Sequence, residues 1–88
     1  MTKRQILQMI KDTAELETHF DLRSMRETED EWGFNNLTTS NMYTNKRSNL
    51  EEQARQMGVP KKDIEEARSE GSSRAWEAYH EEESYLWG

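Results

Sequence analysis

The stretch LEEQARQMGVPKKDI, residues 50–64, decides how the chain is read. Leu50, Ala54 and Met57 recur at four- and three-residue steps, which places them on one stripe of a helix. Gly58 offers the left-handed conformation that stops helices, and Pro60 stands where a new helix can begin without missing its amide hydrogen. Ile64 and Ala67 resume the apolar spacing beyond the corner. Two helices joined by a tight turn are therefore expected. Ser48 and Glu51 form a capping box for the first, which ends at Met57, and the second runs from Lys61 to about Glu70.

Working toward the N-terminus, Thr2 is expected to cap a helix over residues 3–18, with Ile6, Leu7, Ile10 and Ala14 on its inner stripe. Asp21, ahead of Leu22 and Met25, looks like a fresh cap and a further turn or two, which either extends the first helix with a kink or starts a second short one. Residues 27–31 are a solvated acidic run, and Gly33 between Trp32 and Phe34 suggests a turn. Residues 35–47 are rich in Asn, Thr and Ser, whose side chains compete for backbone hydrogen bonds, so they form the expected main connection. Toward the C-terminus, Gly71-Ser72-Ser73 is expected to break the chain and cap a last helix carrying Ala75, Trp76, Tyr79, Leu86 and Trp87. No strand-type alternation persists. The expectation is one all-α domain over residues 1–88, a small bundle of four or five short helices.

The chain has 88 residues, 32% hydrophobic and 34% charged. Such a composition allows only a thin core, so either self-association into a homo-oligomer or heavy use of aromatics is expected to support it. The formal charge is -6; residues 51–88 carry ten Asp/Glu against five Lys/Arg, and residues 1–50 eight against seven. A field of that sign repels phosphate backbones and draws basic proteins, which disfavours nucleic acid as a partner. The absence of cysteine removes disulfides, thiolate nucleophiles and zinc–thiolate sites, and fits a reducing compartment. No apolar run approaches a membrane span, so a cytoplasmic protein is expected. The four glycines are scattered, and no nucleophile stands with a base, so neither enzymatic activity nor a cofactor is expected. His80 with Glu77 or Glu83 has metal-like spacing, but one helical turn supplies too few ligands, and no metal site is expected.

Ala54, Met57-Gly58-Val59, Ile64 and Ala67 resemble the turn of a helix-turn-helix. That resemblance implies Lys61, Lys62, Arg68 and Arg74 as nucleic-acid contacts. The carboxylates of Asp63, Glu65, Glu66 and Glu70 beside them oppose it. The same segment, residues 50–79, is also similar to a ubiquitin-associated three-helix module. Its loop motif falls on Met57-Gly58-Val59, its downstream alanine on Ala67, and its third helix on Arg74-Ala75-Trp76-Glu77-Ala78-Tyr79. Arg68 stands where that family has a core leucine. The likeness implies a partner-binding loop at Met57, Gly58 and Val59.

The functional expectation is a protein-interaction module, an inhibitor or adaptor, that docks on a basic surface of another protein. Glu77, Glu81, Glu82 and Glu83 would steer the approach, and Trp76, Tyr85 and Trp87 would supply the desolvated contact. Acids spaced to imitate DNA phosphates are one form of this. Within it, Trp76 is expected to serve the core first, because it shares a helical stripe with Tyr79. One alternative is the nucleic-acid regulator described above. Another is an oligomer holding a charged small molecule near Lys3, Arg4 and Lys11.

Overall fold

The computed structural model describes the backbone of residues 1–26 and 31–87 and the side chains of residues 1–24 and 38–81. Every element among the described residues is an α-helix: α1 is Lys3–Arg26, α2 is Glu31–Gln56 and α3 is Lys61–Trp87. The chain is all-α as expected, but three long helices replace the four or five short ones. α1 is the middle helix: α2 and α3 both pack along it and scarcely touch each other. α2 runs antiparallel to α1, since Arg47 reaches Glu17 while Ala54 joins Ile6 and Ile10. α3 runs parallel to α1, since Lys11 pairs with Glu70 and, further along both helices, Thr18 donates to Ser72. The result is an elongated slab of 44 × 27 × 17 Å.

α1 starts at a reciprocal capping box. The Thr2 amide donates to Gln5 Oε1 at 2.8 Å, and the Gln5 amide donates to Thr2 Oγ1 at 3.1 Å, satisfying two donors that the first helical turn leaves open. The capping box expected at Ser48 and Glu51 does not form. Ser48 lies inside α2, and the Glu51 carboxylate is taken by Arg47.

The corner between α2 and α3 forms as the sequence indicates. Gly58 has φ +86°, and the amides of Gly58 and Val59 donate to the carbonyls of Arg55 and Ala54, each at 3.0 Å. This pair of hydrogen bonds closes the C-terminus of α2, and the apolar pair that accompanies such a motif is Ala54 with Val59, both buried. The Pro60 carbonyl then accepts from the amides of Asp63 and Ile64, opening α3.

Ile6, Ile10, Leu50, Ala54, Val59, Ile64 and Ala67 form one apolar cluster around this corner, with Leu7 and Met57 against it. Each large side chain removed from water there contributes about 1.5–3 kcal/mol. Farther along, the interior turns small and polar: Thr13, Ala14, Leu22, Ser24, Ser40 and Ala75 are buried.

That polar half is where local expectations fail. α1 continues through Asp21 to Arg26, so of the two outcomes expected there the first helix is extended, whereas the turn expected at Gly33 is absent, because the backbone of α2 passes through it. The segment over residues 35–47 is helix rather than connection. Its buried Ser40 places Oγ 2.7 Å from Asp21 Oδ1 and 3.1 Å from the Glu17 carbonyl, while Thr44 donates to the Ser40 carbonyl. The Ser40 hydroxyl, of a kind that favours loops locally, is thus used by the packing of α2 on α1, while that of Thr44 is satisfied within α2. Gly71-Ser72-Ser73 does not break α3 either. A Cβ on Gly71 would lie 2.1 Å from the Lys11 carbonyl oxygen, so this glycine marks the close approach of α3 to α1. Trp76 is 43% exposed, and Ala75 takes the buried place beside α1, which corrects the expectation that Trp76 serves the core.

Candidate functional site

Asp63, Glu66, Glu70, Glu77 and Glu81 follow one another at steps of three, four, seven and four residues, and so share a stripe along α3. Asp63, Glu66, Glu77 and Glu81 are exposed and enter no ion pair among the described residues. Glu70 is held by Lys11, Nζ to Oε2 at 2.7 Å. Trp76, Tyr79 and His80 lie on the neighbouring flank, about 100° round the helix from Glu77. Their rings are mutually in contact, with centroids 6.0 Å apart for Trp76–Tyr79, 5.7 Å for Trp76–His80 and 6.0 Å for Tyr79–His80. Of the expected contact set, Trp76, Glu77 and Glu81 are therefore brought to one end of α3. Glu82, Glu83, Tyr85 and Trp87 belong to the same helix, but their side chains lie outside the described residues, as does that of Trp32.

The basic residues of the alternative set do not gather into a patch. Lys61 Nζ stands 3.9 Å from Glu65, and Arg68 Nη1 stands 3.7 Å from Glu51. Arg74 lies within the acidic stripe and helps hold Glu70 charged. Lys62 is exposed. Of the residues considered for a small charged ligand, Lys3 lies beside Gly58, whereas Arg4 and Lys11 line an open cleft of about 470 Å³. Asp63, Glu66 and Glu70 line the same cleft, so its charge is mixed.

Lys11 keeps the Glu70 carboxyl below the usual carboxylate range, first through their hydrogen bond and then through charge, with Arg74 adding to it. A depressed carboxylate pKa adds stability that is present above the unfolded pKa and is lost as pH falls through the folded one. The Lys11→Met variant should therefore be less stable than the wild type at neutral pH, with the difference shrinking as acid protonates Glu70. Urea unfolding from pH 7 down to about pH 3 checks this, and a difference independent of pH would reject it.

Two features were not anticipated. One is a half-buried ion cluster: Arg47 Nε donates to Glu17 at 2.7 Å and Nη1 to Glu51 at 3.0 Å, linking α2 to α1, and Arg68 approaches Glu51 from α3. Burial works against the Arg47 charge, but Glu17 and Glu51 outweigh it and leave its pKa raised. The four-residue step from Arg47 to Glu51 was the available signal. The other is a groove between α1 and α3, about 370 Å³, lined by Asp12, Glu15, Leu16, His19, Ala75 and Ala78. It depends on the parallel pairing of two helices distant in sequence, which no local pattern reveals.

Among the described residues, no three His, Asp or Glu side chains converge to hold a metal ion, and no helix is long and apolar enough to cross a membrane. Compared with known proteins, the chain matches no family model, no curated protein and no solved structure.

Proposed function

We propose that the protein is an interaction module, an inhibitor or adaptor, that presents the far end of α3 to a basic surface of a partner protein. The observation that carries this reading is the pairing, at one end of a helix, of exposed carboxylates that enter no ion pair among the described residues, Glu77 and Glu81, and a half-exposed tryptophan, Trp76. Carboxylates in that position raise the rate of encounter with a cationic surface, while the indole, backed by Tyr79 and His80, supplies the dehydrated contact that slows release. Glu82 and Glu83 extend the acidic run, and Tyr85 and Trp87 the aromatic one. In the nucleic-acid reading two of the four contact cations, Lys61 and Arg68, stand close to carboxylates, which favours the acidic surface over it.

The test is capture of partners from the host's lysate on the immobilised chain, with the wild type set against Glu77→Lys/Glu81→Lys. The wild type should retain basic proteins that high salt releases. The variant should lose them, and its association with the captured partner should slow by about tenfold, with a flatter salt dependence. An unchanged association rate in the variant would reject the reading, and DNA retarded by the wild type at low salt would favour the regulator instead.

A further inference from the structure

We propose that the groove between α1 and α3 is the seat of a basic amphipathic helix supplied by the partner. This rests on the proposed interaction function and adds where on the molecule the partner lies and what its segment looks like.

The groove arises from packing. α1 and α3 come closest at Gly71, where a Cβ would collide with the Lys11 backbone, and beyond that point Ala75 and Ala78 are too small to fill the space between the helices. The half-exposed Leu16 and the two alanines give it an apolar floor. Asp12, Glu15 and His19 rim it on the α1 side, and neither lysine nor arginine lines it. Glu81 follows Ala78 by three residues, so helical spacing brings a further carboxylate to the α3 side.

The volume has room for one or two anchoring side chains, as when a helix lays an apolar stripe into a groove. Charge selects among occupants. A second copy of this chain would bring another net charge of -6, and a nucleic acid would bring phosphates to an acidic rim. A helix with leucine-like anchors at three- and four-residue steps, flanked by lysine or arginine, matches both floor and rim. Laid there, it would sit alongside α1 on the flank that α2 leaves open.

The experiment titrates the full-length protein into a labelled Leu/Lys amphipathic peptide of about 18 residues, five helical turns, and follows fluorescence anisotropy. A peptide of the same composition in scrambled order serves as control. The amphipathic peptide should bind at low salt and the scrambled one far more weakly. Ala78→Trp, which fills the groove from an exposed position, and Asp12→Asn/Glu15→Gln, which removes rim charge without changing size, should each weaken binding by about tenfold or more. Circular dichroism confirms that both variants remain helical. Binding that survives both groove variants but is lost in Trp76→Ala overturns the groove while leaving the proposed α3 surface standing. Binding lost in none of the three variants, or equal for both peptides, overturns the groove. No binding at low salt overturns the groove alone, because the lysate capture tests the α3 surface without it.

Discussion

Gly71→Ala is expected to lower the unfolding free energy by about 2 kcal/mol or more and the melting temperature by about 10 °C, the reverse of what this substitution ordinarily does inside a helix. Replacing a helical glycine with alanine normally stabilises by about 0.5–1 kcal/mol, because glycine has more backbone freedom to lose. Here the added Cβ would lie 2.1 Å from the Lys11 carbonyl oxygen, 3.0 Å from Ala14 Cβ and 3.0 Å from the Glu15 amide nitrogen. None of these is the end of a flexible side chain, so α1 and α3 must separate. Separation there strains the Lys11–Glu70 pair below the contact and the Thr18–Ser72 hydrogen bond above it. Ser73→Ala, at an exposed site two residues on, is the control and should be neutral or slightly stabilising. Thermal melts of both variants decide the matter: a Gly71→Ala protein as stable as the wild type would mean that the helices do not approach as described.

Removal of the Arg47 guanidinium is the second large effect. The Arg47→Met variant should lose about 2–4 kcal/mol, under the range for a fully buried pair because the arginine side chain is still 13% exposed. The loss comes less from a missing attraction than from Glu17 and Glu51, left as two carboxylates on facing helices without their shared cation. The double variant Glu17→Gln/Arg47→Met should consequently recover part of the stability, and urea unfolding of the wild type, the two single variants Arg47→Met and Glu17→Gln, and the double variant gives the coupling directly. A cost below about 0.5 kcal/mol for Arg47→Met would place the cluster with ordinary surface ion pairs.

What the sequence revealed was whatever depends on near neighbours. The apolar steps Ile6–Ile10 and Leu50–Ala54–Met57, the Gly58 stop and the Pro60 start all act within about one helical turn, and the structure uses each as read. The signals that misled were equally local but were overruled from a distance. Ser40 and Thr44 resemble loop residues until Asp21 and Glu17 of α1 are placed opposite Ser40. Gly71 resembles a break until the Lys11 backbone is seen against it. Ser48 and Glu51 have capping-box spacing, yet Arg47 claims the glutamate. The site followed the same division. Exposure of Glu77 and Glu81 could be read from an acidic helix face, whereas the α1–α3 groove needed the register of helices some sixty residues apart in the chain.

The central position of α1 bears on how the molecule comes to be built. Its contacts with α2 lie between consecutive helices, so a two-helix hairpin can assemble while α3 is still being synthesised, with loop closure over a short span. α3 has almost nothing to rest on except α1, and it can dock only once that helix is already in place. α3, made after the hairpin, is therefore also secured after it, and in a partial opening of the native molecule it can peel away and leave the hairpin behind.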